Sequence, residues 1–226
     1  MNKINIAIDG FAGGGKSTTA RRVADQLGYI YIDTGAMYRA VTLFVLENEL
    51  PFDKENDALS QALTNIELDF SEVDEEGNRM IMLNGIKVED KIRTPEVSGA
   101  VSPVSVLVSV RRMLVAQQKR MAQRKGFVMD GRDIGTVVLP DAELKVFMTA
   151  DMDVRVDRRR QELESKGIYW SAEEIRHNMA ERDRIDSSRS EGPLKKADDA
   201  RELDTSGLTI DDQVRIVVEW AEALIH

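Results

Sequence analysis

The 226-residue sequence contains no cysteine, two histidines, five prolines and few aromatic residues. No apolar run approaches the ~20 residues that a membrane-crossing helix needs. Each absence removes a class of function. Without cysteine there is no disulfide framework, thiolate metal site or cysteine nucleophile, and a reducing compartment is compatible. His177 lies in a polar helical stretch and His226 is the final residue, so neither points to a metal centre or a histidine base. Acidic residues outnumber basic ones, giving a net charge of −9, which argues against a dedicated nucleic-acid binder. Arginines focused in one cleft remain compatible with that balance. The opening Met-Asn-Lys-Ile-Asn-Ile-Ala-Ile-Asp has no signal-type apolar core, and a strand pattern begins within a few residues of Met1. A cytoplasmic location is expected, and with nothing demanding a partner chain, so is a monomer.

What is present is an ordinary apolar fraction, 42 %, sufficient for a folded core. Short strand-like segments occur at Ile4–Asp9, Tyr29–Asp33, Phe127–Asp130 and Leu144–Thr149, with a weaker one at Ala200–Asp204. Helical spacing marks Lys16–Leu27, Val104–Arg124, Val154–Glu164, Ala172–Ile185 and Asp211–Leu224. Alternating strands and helices predict a three-layer α/β/α fold around a five-stranded parallel sheet, with ligands beyond the carboxyl ends of the strands. One stretch breaks the rhythm. Ile66–Phe70, Met80–Leu83 and Ile86–Val88 read as short antiparallel strands, joined by the acidic turn Asp74-Glu-Glu-Gly-Asn78 and the hairpin signal Asn84-Gly85. The expected organisation is a core of residues 1–61 and 102–226, a helical lid at about 152–190, and an insert at 62–101.

Gly10-Phe11-Ala12-Gly13-Gly14-Gly15-Lys16-Ser17 matches the G-x-x-x-x-G-K-[ST] phosphate loop and sits between a strand and a helix, as that motif requires. Glycines let backbone N–H groups converge on phosphate oxygens, and the helix start adds its positive dipole end. Lys16 places a point charge on the β/γ-phosphates. The Ser17 hydroxyl suits Mg²⁺, and Asp130, ending a neighbouring strand, is placed to orient a metal-bound water. An incidental glycine-rich turn is the bland alternative, and the intact strand–loop–helix context disfavours it. This establishes a nucleoside triphosphate donor, not the acceptor.

The acceptor is read from two other strand ends. One runs into Asp33-Thr-Gly-Ala-Met-Tyr38-Arg39, the other into Asp130-Gly-Arg132-Asp133-Ile-Gly135, each with a glycine and an arginine. A lone arginine there is more often a surface ion pair; two in matched positions favour phosphate. An alcohol acceptor calls for a base to take its proton, whereas a phosphate acceptor is already anionic and needs cations instead. Sites rich in arginine and nearly free of histidine therefore point to a nucleoside monophosphate. Further arginines (155, 158, 159, 160, 182, 184 and 189) interleave with acids, so most belong to solvated helices. Arg155 and Arg159 nonetheless share a helix face, as do Arg182, Asp186 and Arg189, and a lid excluding water needs such faces.

These motifs, together with Ile92-Arg-Thr-Pro-Glu-Val97 and Arg182-Asp-Arg-Ile-Asp-Ser-Ser-Arg189, closely resemble the bacterial-type cytidylate kinases along essentially the whole chain. The resemblance implies transfer of the γ-phosphoryl group of ATP, with Mg²⁺, to CMP and dCMP. It implies ATP on Gly10–Thr18, with Arg155 and Arg159 closing over it. Tyr38, Arg39 and Arg132 would hold the acceptor phosphate. Ser102, Arg111 and Asp133, supported by Thr34, would read cytosine, and Arg182, Asp186 and Arg189 would meet the ribose. Lys16, Arg39, Arg132, Arg182 and Arg189 would carry the catalytic charge. The 62–101 insert would enlarge the monophosphate site. The chain departs from the family pattern at Thr34, where serine is common, and at Phe11-Ala12, where Pro-Ser or Pro-Ala is usual; neither removes a required group. A UMP or AMP kinase is the nearest alternative, followed by a kinase for an alcohol acceptor and a non-catalytic ATP binder. A GTPase would need an Asn-Lys-x-Asp motif, which the sequence lacks.

Overall fold

The computed structural model describes residues 2–72, 74, 79–165 and 167–225. Residues 75–78 of the expected acidic turn and His226 lie outside them. The chain divides into two compact units, Met1–Ile32 with Ala122–His226, and Asp33–Met121.

The first unit is built on a five-stranded sheet in the order β2–β6–β1–β7–β8, formed by β1 (Ile6–Gly10), β2 (Ile30–Asp33), β6 (Phe127–Gly131), β7 (Leu144–Thr149) and β8 (Arg201–Asp204). β1 pairs in parallel with both β6 and β7, and β7 pairs in parallel with β8. Every residue of β1 is buried, as expected where both faces of a parallel sheet are covered. One face packs on α1 (Lys16–Leu27) and α8 (Ile210–Glu222). Ala20, Val23 and Ala24 of α1, and Val214, Val217 and Ala221 of α8, repeat at helical spacing and meet Ile6, Ile8, Val128, Leu144, Val146 and Met148. α8 opens on a capping box, in which Thr209 and Asp212 exchange side-chain and backbone bonds.

α6 (Met152–Ser165) and α7 (Ala172–Ser188) form a hairpin with a small core of its own, where Val156, Leu163, Ile175 and Met179 enclose Ala12 of the phosphate loop. The strand order creates a switch point. The chain leaving β1 passes β6 to reach β2, while the chain leaving β6 passes β1 to reach β7. The carboxyl ends of β1 and β6 thus open a crevice between oppositely directed connections, the general ligand position in this architecture.

The second unit holds α2 (Thr34–Glu47), α3 (Asp57–Leu63), α4 (Pro95–Ser105), α5 (Val108–Met121) and a three-stranded antiparallel sheet, β3 (Leu68–Phe70), β4 (Ile81–Leu83) and β5 (Ile86–Lys87). It contains all of 62–101 and extends beyond that stretch on both sides. The β4–β5 turn has Asn84 at φ 50 and Gly85 at φ 78, the doubly left-handed turn that Asn-Gly predicts. The helix expected over Val104–Arg124 is instead broken. α4 ends at Ser105, α5 starts at Val108, and the pair bends by 94°. Pro103 supplies no N–H to the last turn of α4, and the β-branched residues that follow hold the helix weakly. Among the described residues no single helix is long and apolar enough to cross a membrane.

Gly10 joins β1 to the phosphate loop with φ +149, and a Cβ there would lie 2.1 Å from the Met148 carbonyl oxygen. Gly10→Ala is expected to lower stability by at least about 2 kcal/mol, read as a reduced melting temperature.

Candidate active site

The phosphate loop is held from several sides before any ligand is considered. Gly13 and Gly15 adopt positive φ, at 74 and 87. At Gly13 the positive φ favours glycine, and a Cβ there would also lie 3.2 Å from the Arg155 carbonyl oxygen of α6. Arg155, buried, donates from Nη1 to the Ala12 carbonyl at 3.2 Å and to Asp183 Oδ2 at 2.7 Å. Its guanidinium also lies 5.2 Å from the centre of the Phe11 ring, which meets Phe147 edge-on. Thr205, just past β8, places its hydroxyl 3.2 Å from the Gly14 carbonyl and 3.0 Å from the Thr149 carbonyl. Arg158 fixes Thr205 by donating to both its hydroxyl and its carbonyl oxygen.

Lys16 is buried, and its ammonium donates to the Phe11 carbonyl at 2.6 Å. Burial pushes its pKa down to about 7 and Arg132 pushes the same way, while Asp130, Asp9 and Asp186 oppose them. Ser17 donates to Asp130 Oδ2 and Tyr31 donates to Asp130 Oδ1, each at 2.8 Å. A hydroxyl and a carboxylate side by side are hard oxygen donors. No group of three or more His, Cys, Asp or Glu side chains placed to hold a metal ion occurs among the described residues. That set fits Mg²⁺ bound largely through phosphate and water oxygens, not one caged by protein.

Beside β6 stands an ion network. Arg132 donates from Nε to Asp186 Oδ2 at 2.8 Å. Arg189 donates from Nη2 to Asp133 Oδ1 at 3.0 Å, lies 3.7 Å from Asp186, and holds the Gly192 carbonyl. Burial opposes the Arg132 charge, yet Asp186 and Asp130 more than offset it and raise its pKa. Burial likewise opposes the Asp186 charge, but Arg132, Arg189 and Arg182 hold its carboxyl below the usual range. Arg132 and Asp133 from one sequence segment are therefore joined to Asp186 and Arg189 from another. Arg159 differs from Arg155: it is half-buried on α6 and pairs with Glu162.

In the second unit, Asp33 caps α2 by accepting from Ala36 N at 2.8 Å. Arg39 donates to Ser98 Oγ at 2.9 Å and to the Ile92 carbonyl at 3.3 Å. Arg111, buried, donates to the Tyr38 hydroxyl at 3.2 Å. Thr34 is buried in the first turn of α2, and Ser102 is half-buried on α4. The sequence reading missed Asp9, Arg158, Asp183 and Thr205 as parts of the site. Asp9 and Thr205 carried a signal, since both are polar residues at the carboxyl end of a sheet strand.

The cytidylate kinase family model matches residues 6–223. The chain belongs to the cytidylate kinase family. It is 51 % identical to a cytidylate kinase of Bacteroides fragilis over 227 residues, covering 99 % of both chains. A cytidylate kinase of Flavobacterium johnsoniae is 50 % identical over 229 residues, covering 100 % of this chain and 99 % of that one. One of Bacillus thuringiensis is 46 % identical over 216 residues, covering 96 % and 95 %. Among solved structures, an uncharacterized protein from Eubacterium ventriosum aligns with a TM-score of 0.53 at 12 % identity, over 98 % of this chain and 99 % of that one. That likeness concerns the fold alone.

Asp186 balances two buried or half-buried arginines, so losing its charge is expected to destabilise the protein. Asp186→Asn should cost about 3 kcal/mol at neutral pH in a denaturant melt. Because its folded pKa is depressed, the stability it contributes is present above about pH 4 and is lost as pH falls through that folded value. The difference should persist from neutral pH down to about pH 4, and the variant should approach the parent protein only below that folded value.

Proposed function

We propose that this family member is an ATP-dependent (d)CMP kinase, a phosphotransferase converting CMP and dCMP to CDP and dCDP with release of ADP. One observation supports the phosphate-acceptor chemistry most: Arg132, linked to Asp186, stands beside the buried Lys16 at the carboxyl ends of β1 and β6. Among the described residues no histidine belongs to that cluster. The nearby carboxylates are already engaged by donors, Asp9 by two backbone amides, Asp130 by Ser17 and Tyr31, and Asp186 by Arg132, and cations so arranged suit an acceptor that arrives as an anion.

On this reading the ATP phosphates lie on the backbone of Gly10, Phe11, Ala12, Gly13, Gly14, Gly15, Lys16, Ser17 and Thr18. Lys16 meets the β/γ-phosphates. Arg155 serves the donor side through the loop, because its guanidinium already holds Ala12, and Arg159 adds charge from the same helix. Ser17, with Asp130 acting through water, would hold Mg²⁺, which when bound neutralises charge on the β- and γ-phosphoryl oxygens. Tyr38, Arg39 and Arg132 take the CMP phosphate. Arg182 and Arg189, positioned with Asp186, add positive charge as the phosphoryl group passes in line. Thr34, Ser102, Arg111 and Asp133 read the base. Cytosine offers an amino donor and a ring-nitrogen acceptor, which a carboxylate and a guanidinium complement, whereas uracil reverses both and leaves buried groups unpaired. The 62–101 stretch would enlarge the monophosphate site, and 152–190 would close as a lid that excludes water. The protein is proposed to act as a cytoplasmic monomer.

Arg132→Ala is expected to lower kcat with CMP by ~100-fold or more, and near-parental turnover would remove its assigned role. Asp133→Asn is expected to reduce the CMP-over-UMP ratio of kcat/KM by at least about tenfold. An unchanged ratio would mean that another residue reads the base.

A further inference from the structure

Asp9 is the last side chain before the phosphate loop, yet none of the roles above uses it. It is 4 % exposed, and both of its carboxylate oxygens are engaged by the segment that follows β6. It accepts Ile134 N–H on Oδ1 and Gly135 N–H on Oδ2, both at 2.7 Å. A buried carboxylate is costly, and burial raises its pKa to about 6 against the pull of those two amides.

The segment it grips is unusual. Ile134–Val138 is a π-helical turn in which Val138 N–H reaches the Asp133 carbonyl and Leu139 N–H the Ile134 carbonyl. Such turns are rare, occur often at functional sites, and leave their first amides without partners inside the turn. Asp9 satisfies two of those amides. Gly135 allows the close approach: a Cβ there would lie 3.3 Å from Asp9 Oδ2 and 3.2 Å from Lys145 Cδ. Lys145 is itself buried and anchored by Asp199. Arg132 and Asp133 immediately precede the turn, and strand register places Asp9 opposite Gly131. The last side chain of the donor strand therefore fixes the backbone that presents Arg132 and Asp133.

We propose that Asp9 is a positioning residue for phosphoryl transfer, its carboxylate clamping the Asp133–Gly135 backbone so that Arg132 and Asp133 meet the acceptor nucleotide in fixed register with the phosphate loop. This rests on the reading that Arg132 and Asp133 serve the acceptor. A carboxylate accepts from both amides. The isosteric amide of Asp9→Asn offers one acceptor and turns an N–H against the second backbone N–H. Acceptor parameters should therefore move, and donor parameters should stay where the Asp9 charge that supports Lys16 is kept.

The test measures steady-state kinetics and calorimetric binding of CMP and ATP for the parent protein, Asp9→Asn and Gly135→Ala. The second variant keeps Asp9 but crowds its Oδ2, and its ordinary backbone angles tolerate alanine. Both variants are expected to raise KM and Kd for CMP about tenfold or more and to lower kcat, and Gly135→Ala, which keeps the Asp9 charge that supports Lys16, should leave ATP values within about twofold of the parent. If Asp9→Asn does not fold, Gly135→Ala alone decides. A lower melting temperature with an unchanged CMP-to-ATP ratio of KM values would overturn the proposal, since a merely structural carboxylate would behave that way. A parent protein that fails to phosphorylate CMP would overturn the functional reading beneath it. CMP turnover by the parent with unmoved CMP constants in the variants would overturn the clamp alone.

Discussion

The structure around the phosphate loop depends on keeping Lys16 and Arg132 close together in a poorly solvated crevice. The two cations disfavour each other, and burial disfavours both. Three carboxylates offset this, Asp9 and Asp130 from β1 and β6 and Asp186 from α7. Each is tied elsewhere as well: Asp9 to the π-turn, Asp130 to Ser17 and Tyr31, and Asp186 to Arg132 and Arg189. Charge balance thus doubles as scaffolding, because the groups that tolerate the cations also fix the elements carrying them. Two polyanionic substrates would enter a site whose positive groups are already in place, the condition under which electrostatic stabilisation costs little reorganisation.

The phosphate loop shares this economy. It is anchored by Ala12 in the α6–α7 core, by Arg155 on the Ala12 carbonyl, and by the Arg158–Thr205 pair beneath Gly14. Phe11, unusual at its position, fills the space between Phe147 and the Arg155 guanidinium. The departure from the family pattern is therefore packed, with the aromatic ring taking up a cation that also holds the loop.

Much of this was legible in the sequence, and the limits have physical causes. The five strands, the Gly10–Ser17 loop and the Asn84-Gly85 hairpin are local signals, set by burial on both faces of the sheet or by a backbone conformation only certain residues tolerate. Arg132, Asp133, Asp186 and Arg189 could each be singled out, but their pairing could not, because it joins a strand end to a helix more than fifty residues away. The break between α4 and α5 was missed because the apolar spacing continues through it, while the loss of one proline N–H decides the backbone. The π-turn at 134–138 has no sequence signature of its own. Its first two amides find their acceptors on Asp9, distant in sequence, and for that reason Asp9 read as an ordinary strand residue.

The central claim, an anionic cytidine acceptor met by preassembled arginines, is tested most directly by ADP release measured with CMP, dCMP, UMP, AMP and shikimate supplied in turn. The account predicts rapid release with CMP and dCMP, markedly slower release with UMP and AMP, and none above background with shikimate. Faster release with UMP or AMP than with CMP, or turnover of the alcohol, would contradict it.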